Sequence, residues 1–198
     1  MKLSFFLLLL PLLFSCNLIR LLNTSEEKDE KTEEIHAFLK KHNYQFDYSF
    51  ENTDSTAKLL RSPKYRVNND SLRYSYIQLR IYDSMGTLYS GYSMCMGNFD
   101  KRKFIDSIPP AKNSYPFINT HLKFENELEV VDINPETKAK VLEESASYDY
   151  VFVVYYTIWS NYFSKHVLKE VSKAKARYRD KIMVIFVNVA KDLAPSAQ

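Results

Sequence analysis

Two apolar runs in the last third of the chain constrain its fold more than any other feature. The run Tyr150–Trp159 is almost entirely β-branched and aromatic, and Ile182–Val189 has the same character. Between them, apolar residues recur at steps of three and four from Phe163 to Tyr178, which is the period of an amphipathic helix. The two apolar runs start about 30 residues apart, which is the usual size of a strand–helix–strand unit. The sequence therefore predicts an α/β fold with these two strands parallel and joined by a right-handed crossover.

Residues 43–116 are predicted to form a β-rich part of the domain. Four aromatic residues alternate with polar ones over 43–50, which predicts a half-buried strand with the aromatic side chains on one face. Residues 72–82 and 87–96 flank a turn sequence that ends in Gly86, so an antiparallel hairpin is expected there.

Three further segments are predicted between the hairpin and the first apolar run. Residues 100–107 are compatible with a short helix, and 117–124 and 127–133 with extended chain. Asn134-Pro135-Glu136 is a typical helix start, with a cap residue, a proline at the first position and an acid in the first turn.

The N-terminus has the pattern of an export signal. Lys2 precedes a short apolar run that ends in Leu13-Phe14-Ser15-Cys16. These four residues resemble the lipobox of bacterial lipoproteins. The resemblance implies that residues 1–15 are removed as a signal peptide and that Cys16 is acylated. An uncleaved anchor is the alternative, but Pro11, Asn17 and Arg20 interrupt the apolar span that a membrane-crossing helix needs.

Residues 16–42 are expected to form the lipid anchor and a charged helical spacer. A helix is predicted over 24–42, and its segment Glu26–Glu34 holds six acids and two lysines. Apolar residues come only late, at Ile35, Phe38 and Leu39, where one face is expected to dock on the domain. The acidic half is interpreted as a solvated spacer, with an acidic partner-binding face as the alternative.

Trp159, Ser160 and Phe163 carry a second resemblance. An apolar strand that ends in Trp159, followed by Ser160-Asn161-Tyr162-Phe163 and a long helix, resembles a thioredoxin-like domain. In that family a Cys-x-x-Cys motif opens the helix, and Ser160 and Phe163 stand where the two cysteines would be. The resemblance covers about residues 120–192. It implies a three-layer sandwich that forms the 117–192 part of a single α/β domain over 43–198.

This sequence departs from the family pattern in two ways. Without the two cysteines the motif has no thiolate nucleophile, so thiol–disulfide exchange through it is not expected. The chain also ends soon after the last strand, which leaves no room there for the family's closing hairpin and last helix. The hairpin at 72–96 and the segment 100–107 precede the core instead. This order predicts a permuted arrangement of the same fold.

Cysteine content limits the chemistry further. The chain has two cysteines, and with Cys16 as the lipid site Cys95 is left alone. An internal disulfide and a cysteine zinc site are therefore excluded. Cys95 lies between Met94 and Met96, which a strand would direct to the opposite face, so a copper(I) site is disfavoured. A small side chain that fills a sheet face is the favoured interpretation, and a peroxidase or reductase thiol is the alternative.

Other polar patterns bear on catalysis and on nucleic-acid binding. Glu125, Glu127 and Glu129 alternate on the predicted extended stretch, and a solvated strand face is favoured over a paired-carboxylate hydrolase. The long helix carries basic residues at steps of four from Lys165 to Arg177, which indicates a solvated helix face or a surface near anionic lipid. With a formal net charge of +3 and no aromatic residues among these bases, nucleic acid is not an expected partner.

These observations together predict a cell-envelope lipoprotein, on the periplasmic or surface side of its membrane, with a redox-inactive thioredoxin-like domain. A binding or scaffold role is favoured, with an envelope protein as partner and the acyl chains in the membrane. The four histidines form no metal-ligand motif, and neither a metal nor a cofactor is expected. A thiol-dependent oxidoreductase or peroxidase that uses Cys95 is the alternative function.

Overall fold

The computed structural model describes residues 30–51, 60, 62, 77–93, 107–110, 122–131 and 133–189. These residues form four helices and five strands. In chain order they are α1 (Thr32–Lys41), β1 (Tyr48–Glu51), β2 (Gln78–Asp83), β3 (Leu88–Ser93), α2 (Phe124–Val130), α3 (Pro135–Ser145), β4 (Tyr150–Tyr156), α4 (Asn161–Arg177) and β5 (Ile182–Asn188).

The strands form one five-stranded mixed sheet in the order β1-β5-β4-β2-β3. β4 and β5 are parallel and are joined by α4, so the predicted strand–helix–strand unit is confirmed. β1 adds to β5 in parallel, and the antiparallel hairpin β2–β3 pairs through β2 with β4. The hairpin turn is also confirmed, because Gly86 has a φ of 67° and its N–H donates to the carbonyl of Asp83.

Successive residues of β4 and β5 are buried on opposite faces of the sheet, as their apolar sequence predicts. One face carries Val151, Val153 and Tyr155 and packs against α2 and α3. The other face carries Phe152, Val154 and Tyr156 and packs against α1 and α4. The molecule is therefore a mixed α/β structure with helices on both faces of the sheet.

The predicted extended chain over 127–133 is wrong at residues 127–130, because α2 covers Phe124–Val130. Phe124, Leu128 and Val131 recur at steps of four and three, which brings them to one buried helix face. The alternation of the three glutamates in the sequence therefore does not indicate a strand. Since α2 is a helix, their predicted common strand face is also wrong.

The predicted helix over 24–42 is not continuous, because residues 30 and 31 are not helical, and residues 24–29 lie outside the described residues. α1 starts at Thr32, and Lys31 before it has an extended backbone. The predicted docking face is confirmed, because Ile35, Phe38 and Leu39 are buried. The interpretation of residues 26–34 as a solvated spacer is wrong at Glu30, which is buried.

The predicted strand over 43–50 is regular only from Tyr48 onward. Tyr44 and Phe46 pack near Phe186 on the α1–α4 face, whereas Tyr48 and Phe50 stack on the α2–α3 face. The expected common face for the four aromatic residues is therefore wrong. The chain bends at Asp47, whose carboxylate accepts the N–H of Val184 and pairs with Lys175 at 2.8 Å.

Several predictions fall on other parts of the chain. Cys16, Cys95 and residues 100–106 lie outside the described residues. The solvated face of α4 is confirmed at Lys169, Lys173 and Arg177, which are exposed. No helix among the described residues is long and apolar enough to cross a membrane.

Candidate functional site

The three parallel strands end at the same edge of the sheet. Open α/β sheets bind ligands outside the carboxyl ends of their strands. In this chain Glu51 ends β1, Asn188 ends β5 and Trp159 follows β4. Each of these three residues contacts a residue of 30–36, here called the edge segment. The chain therefore covers its own carboxyl edge.

Glu30 is the most buried residue of the edge segment, with 1% of its surface exposed. Its Oε1 accepts the backbone N–H of Trp159 at 2.7 Å, and its Oε2 accepts the side-chain amide of Asn188 at 2.6 Å. Neither of these donors carries a charge. The Trp159 N–H lies just before α4, where the positive end of the helix dipole favours an anion.

The first turn of α1 is held at the end of β1. The Thr32 hydroxyl donates to Glu51 Oε2 at 2.5 Å, and His36 Nε2 lies 3.4 Å from Glu51 Oε1. These contacts are exposed, in contrast to those of Glu30. The edge segment is thus fixed at both of its ends.

Two buried hydroxyl groups lie at the carboxyl end of β4. The Tyr156 hydroxyl lies beside Ser49 and Asn188 and near Glu30, but no group meets it with hydrogen-bond geometry within the described residues. Burial raises the pKa of Tyr156, and the Glu30 carboxylate raises it further. The Thr157 hydroxyl likewise has no hydrogen-bond partner in the described part of the chain.

The three residues singled out by the thioredoxin-like resemblance lie at this edge. Trp159 is 3% exposed, and its backbone N–H is bound to Glu30. Ser160 is buried at the N-cap position of α4, where its carbonyl oxygen accepts the Ser164 N–H at 3.0 Å. The Ser160 side chain makes no capping bond. Phe163 is half-buried and packs against the core on the α1–α4 face.

A second polar cluster lies on the opposite face of the sheet, beneath α2. It consists of Glu127, Arg80, Tyr82 and Tyr155 and is called here the buried cluster. Arg80 Nη1 lies 3.0 Å from each carboxylate oxygen of Glu127, and both tyrosine hydroxyls donate to that carboxylate. Arg80 is 1% exposed and Glu127 is fully buried. Gln78 accepts further hydrogen bonds from Arg80 at 3.0 and 3.3 Å.

The electrostatics of the buried cluster keep Arg80 charged and the tyrosines neutral. Burial lowers the pKa of Arg80, but the Glu127 carboxylate together with Tyr155 and Tyr82 more than offsets this, so the pKa is raised overall. Burial raises the pKa of Tyr82 and Tyr155 well above 10, and Glu127 adds to the effect. A sealed ion pair of this kind joins α2 to the hairpin and offers no surface to a substrate.

The sequence analysis did not predict that the three glutamates of α2 differ in burial. Glu125 and Glu129 are exposed, whereas Glu127 is buried. A solvated face is therefore wrong for Glu127, and the paired-carboxylate alternative fails because these residues share no cleft. Arg80 was missed as well, since a strand residue between Leu79 and Ile81 gives no local signal of burial opposite a carboxylate.

Glu30 and Asn188 were also missed. The only sequence signal for Asn188 is that it is a polar residue at the end of an otherwise apolar run, which is the position where α/β sheets bind ligands. Within the described residues, no group of three or more His, Cys, Asp or Glu side chains is arranged to hold a metal ion.

Comparisons with protein-family models, with curated proteins and with solved structures find no match to this chain. The geometry of the carboxyl edge is therefore the basis for a functional interpretation.

Proposed function

We propose that this chain is a lipid-anchored envelope protein whose thioredoxin-related domain binds a partner and does not exchange thiols with disulfides. The observation that carries the proposal is the set of residues found at the carboxyl edge. Ser160 and Phe163 stand at the motif positions, and Glu30 covers the backbone beside Trp159.

The order and direction of the strands support a permuted thioredoxin-like fold. The hairpin β2–β3 lies next to β4, the first strand of the strand–helix–strand unit, and runs antiparallel to it. Helix α2 follows the hairpin, which gives the strand–strand–helix order ahead of strand–helix–strand. The expected strand before α3 is replaced by α2, while β1 extends the sheet beside β5.

The chemistry of the edge supports binding over redox catalysis. A thiolate at a helix N-terminus is stabilised by the helix dipole and attacks a disulfide. A serine hydroxyl has a far higher pKa and forms no mixed disulfide. Backbone and amide donors at the same edge, in contrast, are suited to holding a ligand that accepts hydrogen bonds.

The lipobox-like sequence supports the membrane anchor. Residues 17–29 separate Cys16 from Glu30, and a fully extended chain covers at most about 3.5 Å per residue. An acylated Cys16 would therefore keep the domain within about 50 Å of the bilayer. An envelope protein on the same membrane face is the partner that such a tether favours.

Mass spectrometry of the membrane-bound protein tests the anchor. We expect residue 16 to carry acyl chains in the parent protein, and Cys16→Ala to abolish both lipidation and membrane retention. An unmodified Cys16 in membrane-bound native protein would overturn this part of the proposal.

Disulfide-reductase and peroxidase assays test the absence of thiol chemistry. We expect no turnover of insulin disulfides or of hydrogen peroxide by the parent protein. Turnover that disappears in Cys95→Ser would establish the alternative, an oxidoreductase or peroxidase that depends on Cys95. Turnover that survives this substitution would require a nucleophile other than a domain thiol.

A further inference from the structure

We propose that the carboxyl edge is a carboxylate-binding site for an acidic peptide segment of the partner, and that Glu30 is its exchangeable internal occupant. This inference rests on the proposed binding role and names the ligand class. The site consists of the Trp159 N–H, the Asn188 amide and the Tyr156 hydroxyl.

The donors converge because of the sheet register. Tyr156 and Asn188 are paired neighbours at the ends of β4 and β5, and the Trp159 N–H lies three residues beyond Tyr156. Two of these groups already bind the two oxygens of Glu30 separately, at 2.7 and 2.6 Å. A carboxylate has lone pairs for more than two donors. The buried Tyr156 hydroxyl lies near Glu30 and meets no group with hydrogen-bond geometry within the described residues, so it is available as a third donor.

The character of the donors selects the ligand class. A backbone N–H, an amide and a hydroxyl are neutral donors, and the start of α4 adds a partial positive charge. Such a site suits a single negative charge spread over two oxygens. The group already seated there, the Glu30 carboxylate, belongs to that class.

Glu30 itself shows how a peptide carboxylate reaches the site. It belongs to the acid-rich segment 26–34 and approaches on a non-helical stretch before α1. The remainder of α1 is held independently by three buried apolar side chains, Ile35, Phe38 and Leu39. Glu30 can therefore leave the site without undocking α1.

Tethering sets the strength of the competition. An internal occupant that a short link joins to the domain competes at a high effective concentration, which is in the millimolar range for short linkers. A partner segment therefore displaces Glu30 when it is itself held nearby, as two proteins on one membrane would be. Removal of Glu30 should open the site to a free carboxylate.

Substitution of Glu30 tests the proposal in the whole mature chain. Glu30→Ala is compared with Glu33→Ala, which removes an exposed glutamate from the first turn of α1. The probe is sodium acetate, with sodium chloride at equal ionic strength as the reference. The readouts are the thermal midpoint and the fluorescence of Trp159, the only tryptophan of the chain.

We expect acetate to raise the midpoint of Glu30→Ala and to shift its Trp159 emission, because a ligand that binds only the folded state stabilises it. The parent and Glu33→Ala should respond to acetate no more than to chloride. Equal responses in all three proteins would overturn the proposal. If Glu30→Ala does not fold, Glu30→Ser replaces it, since the short serine side chain also vacates the site and keeps a polar group at the edge.

Peptides distinguish the two sources of a carboxylate. Lys-Asn-Glu-Lys-Thr with blocked ends carries one side-chain carboxylate, whereas Lys-Asn-Gln-Lys-Thr with a free C-terminus carries only a terminal one. We expect the first to bind Glu30→Ala about tenfold more tightly than the parent, since the parent site is occupied internally. Tighter binding of the second would assign the site to a C-terminal carboxylate.

The blocked glutamine peptide has no carboxylate and serves as the negative control. Binding of that control equal to the other two would overturn the carboxylate site. These readouts do not depend on acylation or on thiols. If the carboxylate site fails these tests, the lipid anchor and the absence of thiol chemistry are still tested separately, by mass spectrometry and by the reductase and peroxidase assays.

Discussion

Among the described residues, Glu127 and Glu30 are each at most 1% exposed, and their carboxylates are held by different kinds of donor. Glu127 is bound by the guanidinium of Arg80 and by two tyrosine hydroxyls, all inside the α/β core. Glu30 is bound by a backbone N–H and an amide at the edge of the sheet. Glu127 lies within a helix, whereas Glu30 lies on the non-helical chain before the first described helix.

The difference separates a structural carboxylate from an exchangeable one. Removal of one partner of a buried ion pair leaves an uncompensated charge, so Glu127 is locked in place. Neutral donors impose a smaller penalty when their acceptor leaves, because water can satisfy them at an edge. Four predictions follow this contrast, in order of decreasing effect.

Arg80→Met should have the largest effect, since it leaves the Glu127 carboxylate buried without its cation. We expect a loss of about 3–5 kcal/mol in the free energy of unfolding, measured by urea denaturation. The double variant Arg80→Met with Glu127→Leu should recover much of the loss. A single variant as stable as the parent would show that Glu127 is not held as an ion.

Asn188→Asp replaces a donor to Glu30 with a repelling carboxylate of nearly the same shape. We expect a loss of about 1–3 kcal/mol, because a buried acceptor loses its partner. Trp159 emission should shift to longer wavelength as Glu30 leaves the edge. Unchanged emission and stability would mean that the amide does not hold Glu30, and the contrast between the two glutamates would fail.

High pH should weaken the buried cluster through its tyrosines. Burial, reinforced by Glu127, raises the pKa of Tyr82 and Tyr155 in the folded state. Their neutral forms therefore stabilise the fold fully below pH 10, and this contribution is lost as the pH rises further. We expect each tyrosine to lower the free energy of unfolding by about 1.4 kcal/mol per pH unit above 10.

Tyr82→Phe provides the control for this alkaline effect. Above pH 10 its free energy of unfolding should fall less steeply with pH than that of the parent, by about 1.4 kcal/mol per pH unit, because one ionising tyrosine is gone. Between pH 7 and 9 the two curves should be parallel. Identical slopes above pH 10 would show that Tyr82 is not kept neutral by its surroundings.

Thr32→Val should have the smallest effect. It removes the exposed hydrogen bond to Glu51 with little change of shape. We expect a loss below about 1 kcal/mol and no shift of Trp159 emission. A loss larger than that of Asn188→Asp would mean that Glu51, not the donors around Glu30, holds the edge segment.

Local patterns were sufficient for several elements. The parallel pair β4 and β5 followed from two runs that are apolar on both faces. The start of α3 followed from Asn134-Pro135-Glu136, and Asn134 Oδ1 does accept the Thr137 N–H at 2.8 Å. These patterns predict structure correctly because helix capping and the period of buried residues depend on residues only a few positions apart.

Local patterns failed where two periods compete. In the segment 124–131 the charged residues alternate as in a strand, whereas the apolar residues recur with the period of a helix. The segment is helical, because burial depends on the apolar residues. Over 43–50 the alternation was real, but the bend at Asp47 divided the aromatic residues between two faces.

The sequence by itself determined the parallel unit, the hairpin and the docking face of α1. The tertiary structure alone decided which polar residues are buried together. Arg80 and Glu127 are 47 positions apart, and Glu30 and Asn188 are 158 apart. A buried carboxylate is stable only where donors from several strands converge, and that convergence depends on the strand order β1-β5-β4-β2-β3, which no local period encodes.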